Sequence, residues 1–326
     1  MVYNIAIIGA GAIGNRHFEG LIKTSTNEIA IFIVDPNPVA LKNIAFNYNQ
    51  LAQNKNIKSL SYLENINELP KELSLAIIAT TADVRYGLTL ALLKHSFVKY
   101  LILEKVVFQK VDHFDSLSKL LTKNKIKAWV NCPRRIFPFY QYIKKIIKGN
   151  KLSLKFLGKN WGLCCNSIHF IDLFSFLTDS NSVSINYNQL EKSIYPSKRN
   201  GFIELRGKLR VNTGEGDYMD LIDTDSLKHA FSIIKIESDD ISFEIRESKK
   251  QLLYTNGKID TVQKKRIDIP YQSDLTGSIV NQILTKGESE LISFEASSKI
   301  HKPLLNAFNN HLFDVTGKKY DRCPIT

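Results

Sequence analysis

Cysteine is scarce and poorly spaced for either of its structural uses. The four cysteines, Cys132, Cys164, Cys165 and Cys323, form no CxxC pair, and adjacent cysteines rarely bridge each other. The sequence therefore offers neither a zinc site nor a disulfide framework, and no metal is expected. That usage fits a reducing compartment. No basic segment followed by an apolar one precedes the first apolar strand, so no signal peptide is expected. No apolar run approaches the ~20 residues that span a bilayer. A soluble, cytoplasmic protein with no membrane partner is expected. Long basic runs are missing as well, although Lys and Arg outnumber Asp and Glu to give a formal charge of +12. Without a basic helix or an aromatic-studded basic strand, nucleic acid is disfavoured as a partner. The scattered lysines read as a solvated basic surface, with an anionic small molecule as the alternative. Internal repeats and low-complexity linkers are absent too.

A chain of 326 residues allows two domains at roughly 150 residues each. Its first third alternates apolar runs with amphipathic stretches. Ile5–Ile8, Ile29–Val34, Leu75–Ala79 and Tyr100–Leu103 lack polar alternation, as strands covered on both faces of a parallel sheet do. Between them, Ile13–Lys23, Val84–Lys94 and Asp112–Lys123 carry helical periodicity. Val84–Lys94 places Leu88, Ala91 and Leu92 on one face. Ile126–Asn131 reads as a further strand and Arg135–Lys148 as the helix after it.

From there the pattern changes. Leu152–Trp161 reads as a long strand and Ser167–Leu177 as a helix. Phe202–Val211, Tyr218–Asp223, His229–Glu237, Ile241–Arg246 and Gln251–Tyr254 then follow as strands, with an Asn-Gly hairpin signal at Asn256–Gly257. Helices over Leu275–Lys286 and Phe294–Phe313 close the chain. The expected fold is α/β: an N-terminal doubly wound Rossmann parallel sheet, then an α+β domain with an open, mostly antiparallel sheet. The expected boundary lies near residue 130, between a Rossmann domain over residues 1–130 and the α+β domain over 131–326.

Gly9-Ala10-Gly11-Ala12-Ile13-Gly14 is a GxGxxG sequence between a strand and a helix, the context that gives this motif its meaning. Gly9 permits the tight turn, Gly11 lets the backbone approach a pyrophosphate, and Gly14 lets the helix pack on the sheet. Ala12 and Ile13 open that helix, whose N-terminal N–H groups face the phosphates. Asp35 ends the second strand about 20 residues on, where an acid hydrogen-bonds the adenosine ribose and repels a 2′-phosphate. NAD is expected, with NADP as the alternative. Thr80 and Thr81, past the run Leu75–Ala79, are further candidates at the cofactor. So are Glu104 and Lys105, past the strand that ends at Leu103, where a lysine stands beside the nicotinamide.

With these residues the sequence resembles the Gfo/Idh/MocA oxidoreductases. The resemblance covers nearly the whole chain: Gly9–Gly14, Glu104-Lys105, Arg134-Arg135 with Pro138, and His169 with Asp172. It implies an NAD(P)-binding Rossmann domain and a second domain whose open sheet serves oligomerisation, as a homodimer or homotetramer. The family's Glu-Lys pair is usually followed by Pro; here Val106 stands there, which predicts a less constrained backbone. A family Asp usually stands four residues before the His; here that residue is Cys165, so the family's Lys-Asp-His set is incomplete. Lys105 and His169 remain as the candidate catalytic pair, with Asp172 read as structural. Asn131, Arg135, Trp161, Asn166 and His169 are candidate contacts to a polyol or carboxylate substrate.

The resemblance implies hydride transfer between the nicotinamide and a secondary alcohol or ketone of a sugar. The ending Cys-Pro-Ile-Thr, with the Leu-Glu-Lys-Val and Cys-Asn-Ser-Ile-His stretches, resembles a subgroup associated with bacterial surface sugars and nonulosonic acids. Two alternatives stand beside this reading. One is a redox-neutral epimerase-like or glycosidase-like enzyme that oxidises only transiently. The other is a non-catalytic NAD-binding sensor.

Overall fold

The computed structural model describes residues 2–226, 232–256 and 259–326; His229, the start of its expected strand, and Gly257 of the expected hairpin turn lie outside the described residues. In chain order the elements begin β1 (Tyr3–Ile8), α1 (Ala12–Thr24), β2 (Ile29–Val34), α2 (Pro38–Tyr48) and β3 (Ile57–Leu63). They continue β4 (Glu72–Ile78), α3 (Ala82–His95), β5 (Phe97–Leu103), α4 (Val111–Lys123), β6 (Lys127–Val130) and α5 (Pro138–Ile147). Next come β7 (Ser153–Gly158), α6 (Leu163–Thr178), β8 (Ser184–Leu190), β9 (Tyr195–Pro196), β10 (Ile203–Glu204) and β11 (Gly207–Asn212). The chain ends with β12 (Tyr218–Asp223), β13 (Ser232–Ser238), β14 (Ile241–Arg246), β15 (Gln251–Asn256), β16 (Ile259–Arg266), α7 (Gln272–Lys286), β17 (Ile292–Ser293) and α8 (Phe294–Thr316).

The chain up to Phe108, Asp115–Asn131 and Pro270–Phe294 make one compact unit; Gln109–Phe114, Cys132–Ile269 and Glu295–Thr326 make the other. In the first unit the strand order is β17-β6-β5-β4-β1-β2-β3, parallel except where β17 runs antiparallel to β6. The order reverses between β1 and β4, the switch point of a doubly wound sheet. The apolar runs read from the sequence are its centre: Ile5, Ile7, Leu75, Ile77 and Leu101 are fully buried. The edge strand β3 escaped the sequence reading because its polar residues break any apolar run. Helix α2 escaped it too, although Asn37 caps its start and Pro38 occupies its first turn.

The buried face of α3 differs from the expected one. Ala82, Arg85, Thr89 and Leu92 are buried, whereas Leu88 is half-buried and Ala91 exposed. The reason is Arg85, 1% exposed, whose guanidinium satisfies main-chain carbonyls inside the unit.

Helix α7 packs on α1 across small residues. A Cβ at Gly277 would lie 1.8 Å from Thr24 Oγ1 and 2.5 Å from the Gly20 carbonyl oxygen. A Cβ at Gly20 would stand 2.8 Å from Thr276 Cβ. Alanine is the better helix former by up to about 1 kcal/mol, but overpacking this seam costs about 1–3 kcal/mol. Gly277→Ala is therefore expected to destabilise the protein in urea unfolding; a gain in stability would contradict the packing described.

The second unit carries an eight-stranded sheet, order β16-β15-β14-β13-β7-β12-β11-β8, antiparallel except for the β7–β12 pair. Leu154, Phe156, Met219, Leu221, Ile234, Ile236, Phe243 and Ile245 fill its buried face. The other face is mixed rather than apolar. One row across it runs Glu244, Lys235, Lys155, Asp220, Arg210, and the next Ile233, Leu157, Ile222, Lys208. Three expected elements start or divide differently. The expected strand Phe202–Val211 is β10 and β11, parted before Gly207 at φ +102°. The helix expected from Arg135 opens as a 3-10 turn over Pro133–Ile136, with α5 starting only at Pro138. Helix α6 begins at Leu163, four residues before the expected start. Among the described residues, no helix is long and apolar enough to cross a membrane.

Candidate active site

The loop between β1 and α1 is shaped for a phosphate. Gly9 sits at φ +106°, and a Cβ on Gly14 would lie 1.8 Å from the Gly9 carbonyl oxygen. The helix start and the turn are thus in backbone contact that no side chain could enter. At Gly11 a Cβ would meet nothing within 4 Å, so the loop's outer side is open. Gly11 caps α1 without a side-chain hydrogen bond, and the first turn holds no acid. The N–H groups of that turn, around Ala12 and Ile13, are available to an anion and the helix dipole favours one.

Asp35 follows β2 beside this loop. Its Oδ2 accepts from the Ala10 N–H at 2.7 Å and its Oδ1 from the Asn37 N–H at 2.9 Å. These bonds fix the carboxylate and leave a lone pair on each oxygen for ribose hydroxyls. It lines a cavity of about 320 Å³ with Gly9, Glu64, Asn67, Thr80 and Leu88. The Thr80 hydroxyl is buried with no hydrogen-bond partner among the described residues. Thr81 caps α3 with its side chain unused for capping. An open glycine loop, an oriented carboxylate and an orphaned hydroxyl on one cavity fit the adenosine and pyrophosphate of NAD. Leu88 and Ala91, missing from the buried face of α3, line this same cavity.

At the end of β5, Glu104 is 5% exposed and enclosed by protein groups. His17 Nε2 donates to its Oε1 at 3.0 Å, and His17 Nδ1 lies 2.9 Å from Thr276 Oγ1. Asn131 Nδ2 donates to Glu104 Oε1 and, at 2.8 Å, to Gln272 Oε1. Gln272 Nε2 closes the ring by donating to Thr276 Oγ1 at 3.0 Å. Burial pushes the Glu104 carboxyl up, but His17, the Asn131 amide and the Arg85 charge together hold it below the usual carboxylate range. It is a buried anion at neutral pH.

Lys105 is half-buried, and the Lys105–Val106 peptide bond is cis. The backbone beyond it is held, contrary to the looser segment expected without proline. Arg85 donates to the carbonyls of Val106, Val107 (3.1 Å) and Thr80, and Val106 is fully buried. Arg85, Gln272 and Thr276 have no role in the sequence reading. Arg85 lies inside an amphipathic helix pattern, and the other two stand more than a hundred residues from the motifs they support.

The second unit holds the remaining candidates. Arg135 is committed to Asp172: Nε lies 3.0 Å from Oδ2 and Nη2 2.8 Å from Oδ1. Arg134 pairs with Glu247 and sits 4.5 Å from the Phe170 ring centroid. Trp161 Nε1 donates to the Ile222 carbonyl at 3.0 Å, with its ring edge-on to Phe156 and Phe170. Asn166 Nδ2 donates to the Trp161 carbonyl at 2.7 Å. Trp161 and Asn166 thus brace the turn before α6, while Arg135 ties to the middle of that helix and Arg134 to Glu247. His169 is half-buried on α6, one turn after Cys165. The helix start does carry a carboxylate, but from β10: Glu204 Oε2 accepts from the Cys164 N–H at 2.7 Å. Burial pushes the Glu204 carboxyl up against the bonds from Cys164 and Cys165.

Asp172 is wholly buried, and burial, opposed by Arg135, pushes its carboxyl up to about 6 from 3.8. The folded protein thus holds this proton more tightly than the unfolded chain. The resulting stabilisation is complete below pH 3.8 and is lost as pH rises through about 6. Its span is about 3 kcal/mol. Urea unfolding at stepped pH is expected to show the wild type losing stability relative to Asp172→Asn over that window. A difference independent of pH would contradict it.

Residues 3–132 match the family described as an oxidoreductase family with an NAD-binding Rossmann fold, GFO_IDH_MocA. No curated protein matches the chain. Among solved structures the chain is similar to the UDP-N-acetylglucosamine 3-dehydrogenase GnnA from Acidithiobacillus ferrooxidans. That match has a TM-score of 0.72 at 12% identity and covers 94% of this chain and 97% of that one. An oxidoreductase from Agrobacterium radiobacter, in complex with NAD+, L-tartaric acid and magnesium, gives 0.70 at 14% identity, with 98% of each chain covered. Levoglucosan dehydrogenase, in complex with NADH and levoglucosan, gives 0.71 at 13% identity, covering 97% of this chain and 98% of that one. At such identities these likenesses are of fold. The glycine loop, the Asp35 cavity and the family match agree on an NAD-binding Rossmann fold, and over residues 3–132 the chain matches the model of the Gfo/Idh/MocA oxidoreductase family.

Proposed function

We propose that the protein is an NAD-dependent dehydrogenase acting on a secondary alcohol, CH–OH, of a sugar or sugar derivative. The observation that carries this reading is the placement of Lys105. It stands directly after the buried Glu104 anion, at the carboxyl end of a strand in the sheet that bears the phosphate loop. Gly9, Gly11, Ala12, Ile13, Gly14, Asp35, Thr80 and Thr81 would hold the cofactor, with Glu104 and Lys105 at its nicotinamide half. Asp35 favours NAD over NADP, because a carboxylate repels a 2′-phosphate.

Bound NAD supplies the hydride acceptor. Lys105 hydrogen-bonds the reacting hydroxyl and takes up its proton as the carbinol hydrogen departs. His169 is the second group proposed to exchange that proton. Of the proposed substrate contacts, Arg135, Trp161 and Asn166 act mainly by fixing α6 and the turn before it, since each spends hydrogen bonds on protein partners.

The substrate class follows from two supports. One neighbour of similar fold acts on a UDP-sugar and another binds levoglucosan. The chain's charge of +12 favours an anionic molecule. A nucleotide-linked or acidic sugar of bacterial surface polysaccharide or nonulosonic acid biosynthesis, made in the cytoplasm, is the specific reading. Assembly as a dimer or tetramer through the open face of the eight-stranded sheet belongs to the same proposal. The rows Glu244–Arg210 and Ile233–Lys208 would mate there as a mixed charged and apolar interface.

A screen of sugars and sugar nucleotides, following NADH absorbance in both directions, tests the reading. Net NADH formation with one of them, and weaker use of NADP, is the expected result. Substrate conversion with no net NADH would instead place the protein among redox-neutral enzymes. NAD binding with no conversion of any sugar would favour a sensor.

A further inference from the structure

Asn131 carries a buried acceptor that the protein leaves unused. The residue is 3% exposed, and its Nδ2 donates to Glu104 and, at 2.8 Å, to Gln272 Oε1. A carboxylate only accepts, so the bond to Glu104 fixes which end of the Asn131 amide is nitrogen. Gln272 is fixed likewise, because its own Nε2 donates to Thr276 at 3.0 Å. Asn131 Oδ1 is therefore the end turned away from both, and it is buried with no partner among the described residues. Such an acceptor is costly to leave unmade, by about tenfold to a hundredfold in an equilibrium constant. A donor from outside the chain would meet it.

The residue's place in the fold says which donor. Asn131 directly follows β6, and its N–H bonds the Leu103 carbonyl at 2.9 Å, at the end of β5 and beside Glu104. In open α/β sheets ligands bind outside the carboxyl ends of the strands, and a dinucleotide crosses the switch point. The glycine loop and the Asp35 cavity lie at the ends of β1 and β2, so β5 and β6 serve the other half of the dinucleotide. The donors on that half are the ribose hydroxyls and the carboxamide N–H of the nicotinamide ring, and the carboxamide is the one at the end farthest from the pyrophosphate at the glycine loop.

We propose that Asn131 is a cofactor ligand, its Oδ1 accepting a hydrogen bond from the nicotinamide carboxamide, and that the His17–Glu104–Gln272–Thr276 ring exists to hold that oxygen in place. The inference rests on the assignment of NAD as cofactor and not on the sugar substrate. It gives Glu104 a role through Asn131 rather than through direct contact.

Dissociation constants by fluorescence titration test it, for NAD+, for the acetylpyridine analogue, whose acetyl group has no N–H, and for ADP-ribose, which lacks the ring. The wild type is expected to bind NAD+ about tenfold more tightly than the analogue. Asn131→Ala is expected to bind the two alike, with ADP-ribose affinity unchanged. A wild type indifferent to the missing N–H overturns the proposal and needs no variant. A preference that persists in Asn131→Ala overturns it too. So does an equal loss of ADP-ribose binding, which would make Asn131 structural. An unchanged preference with a raised KM for sugar would return Asn131 to the substrate. Failure of all three ligands to bind the wild type would overturn the cofactor assignment along with the proposal.

Discussion

Lys105→Met is expected to lower turnover by about 10²–10⁴-fold, the usual contribution of a general acid-base group, while NAD binding and folding survive. The structure gives reasons for both halves of that expectation. The backbone on either side of Lys105 is fixed without its side chain: Glu104 is held by His17 and Asn131, and Val106 and Val107 by Arg85. Methionine keeps most of the apolar stem and deletes the amine. Stopped binding titrations and unfolding curves should therefore match the wild type while kcat collapses. Near-native turnover would remove Lys105 from the mechanism, and a total loss of NAD binding would make it chiefly a cofactor ligand. His169→Asn is expected to cost as much or less, according to which residue accepts the proton.

Gly14→Ala is expected to weaken NAD binding by about a hundredfold or more and to destabilise the first unit by about 1–3 kcal/mol. The new Cβ would stand 1.8 Å from the Gly9 carbonyl oxygen. Both partners are backbone, so no change of rotamer relieves the clash; the helix start and the turn must separate. Gly11→Ala is the discriminating companion. Its Cβ meets nothing within 4 Å, so the free protein should fold normally and lose only affinity, because the methyl enters the space kept for the pyrophosphate. Equal stability losses in the two variants would contradict these distinct roles.

What was legible in the sequence was what is local. The glycine loop, Asp35 and the Glu104-Lys105 pair each sit at the end of a continuous apolar strand, and strand ends are where this class of sheet binds ligands. The antiparallel sheet was legible as strand after strand with short turns between. Less visible was everything assembled from distant segments. The ring around Glu104 draws on residues 17, 104, 131, 272 and 276, and no spacing announces it. Arg85 lies within the helical pattern of α3 with nothing in that pattern to single it out, yet it bonds three carbonyls inside the unit. Arg135 had the right chemistry for a carboxylate ligand, but its partner is Asp172, buried on the neighbouring α6. The carboxylate missing at Cys165 reappears at the same helix end as Glu204, nearly forty residues on.

The central claim is hydride transfer from a sugar carbon to the nicotinamide, and isotope transfer tests it most directly. The protein is mixed with NAD+ and sugars deuterated at their carbinol carbons, and the recovered nucleotide is weighed by mass spectrometry. Deuterium in the reduced nicotinamide, absent in Lys105→Met, is the predicted result. Conversion of the sugar with its deuterium released to water, and none in the nucleotide, would contradict the account.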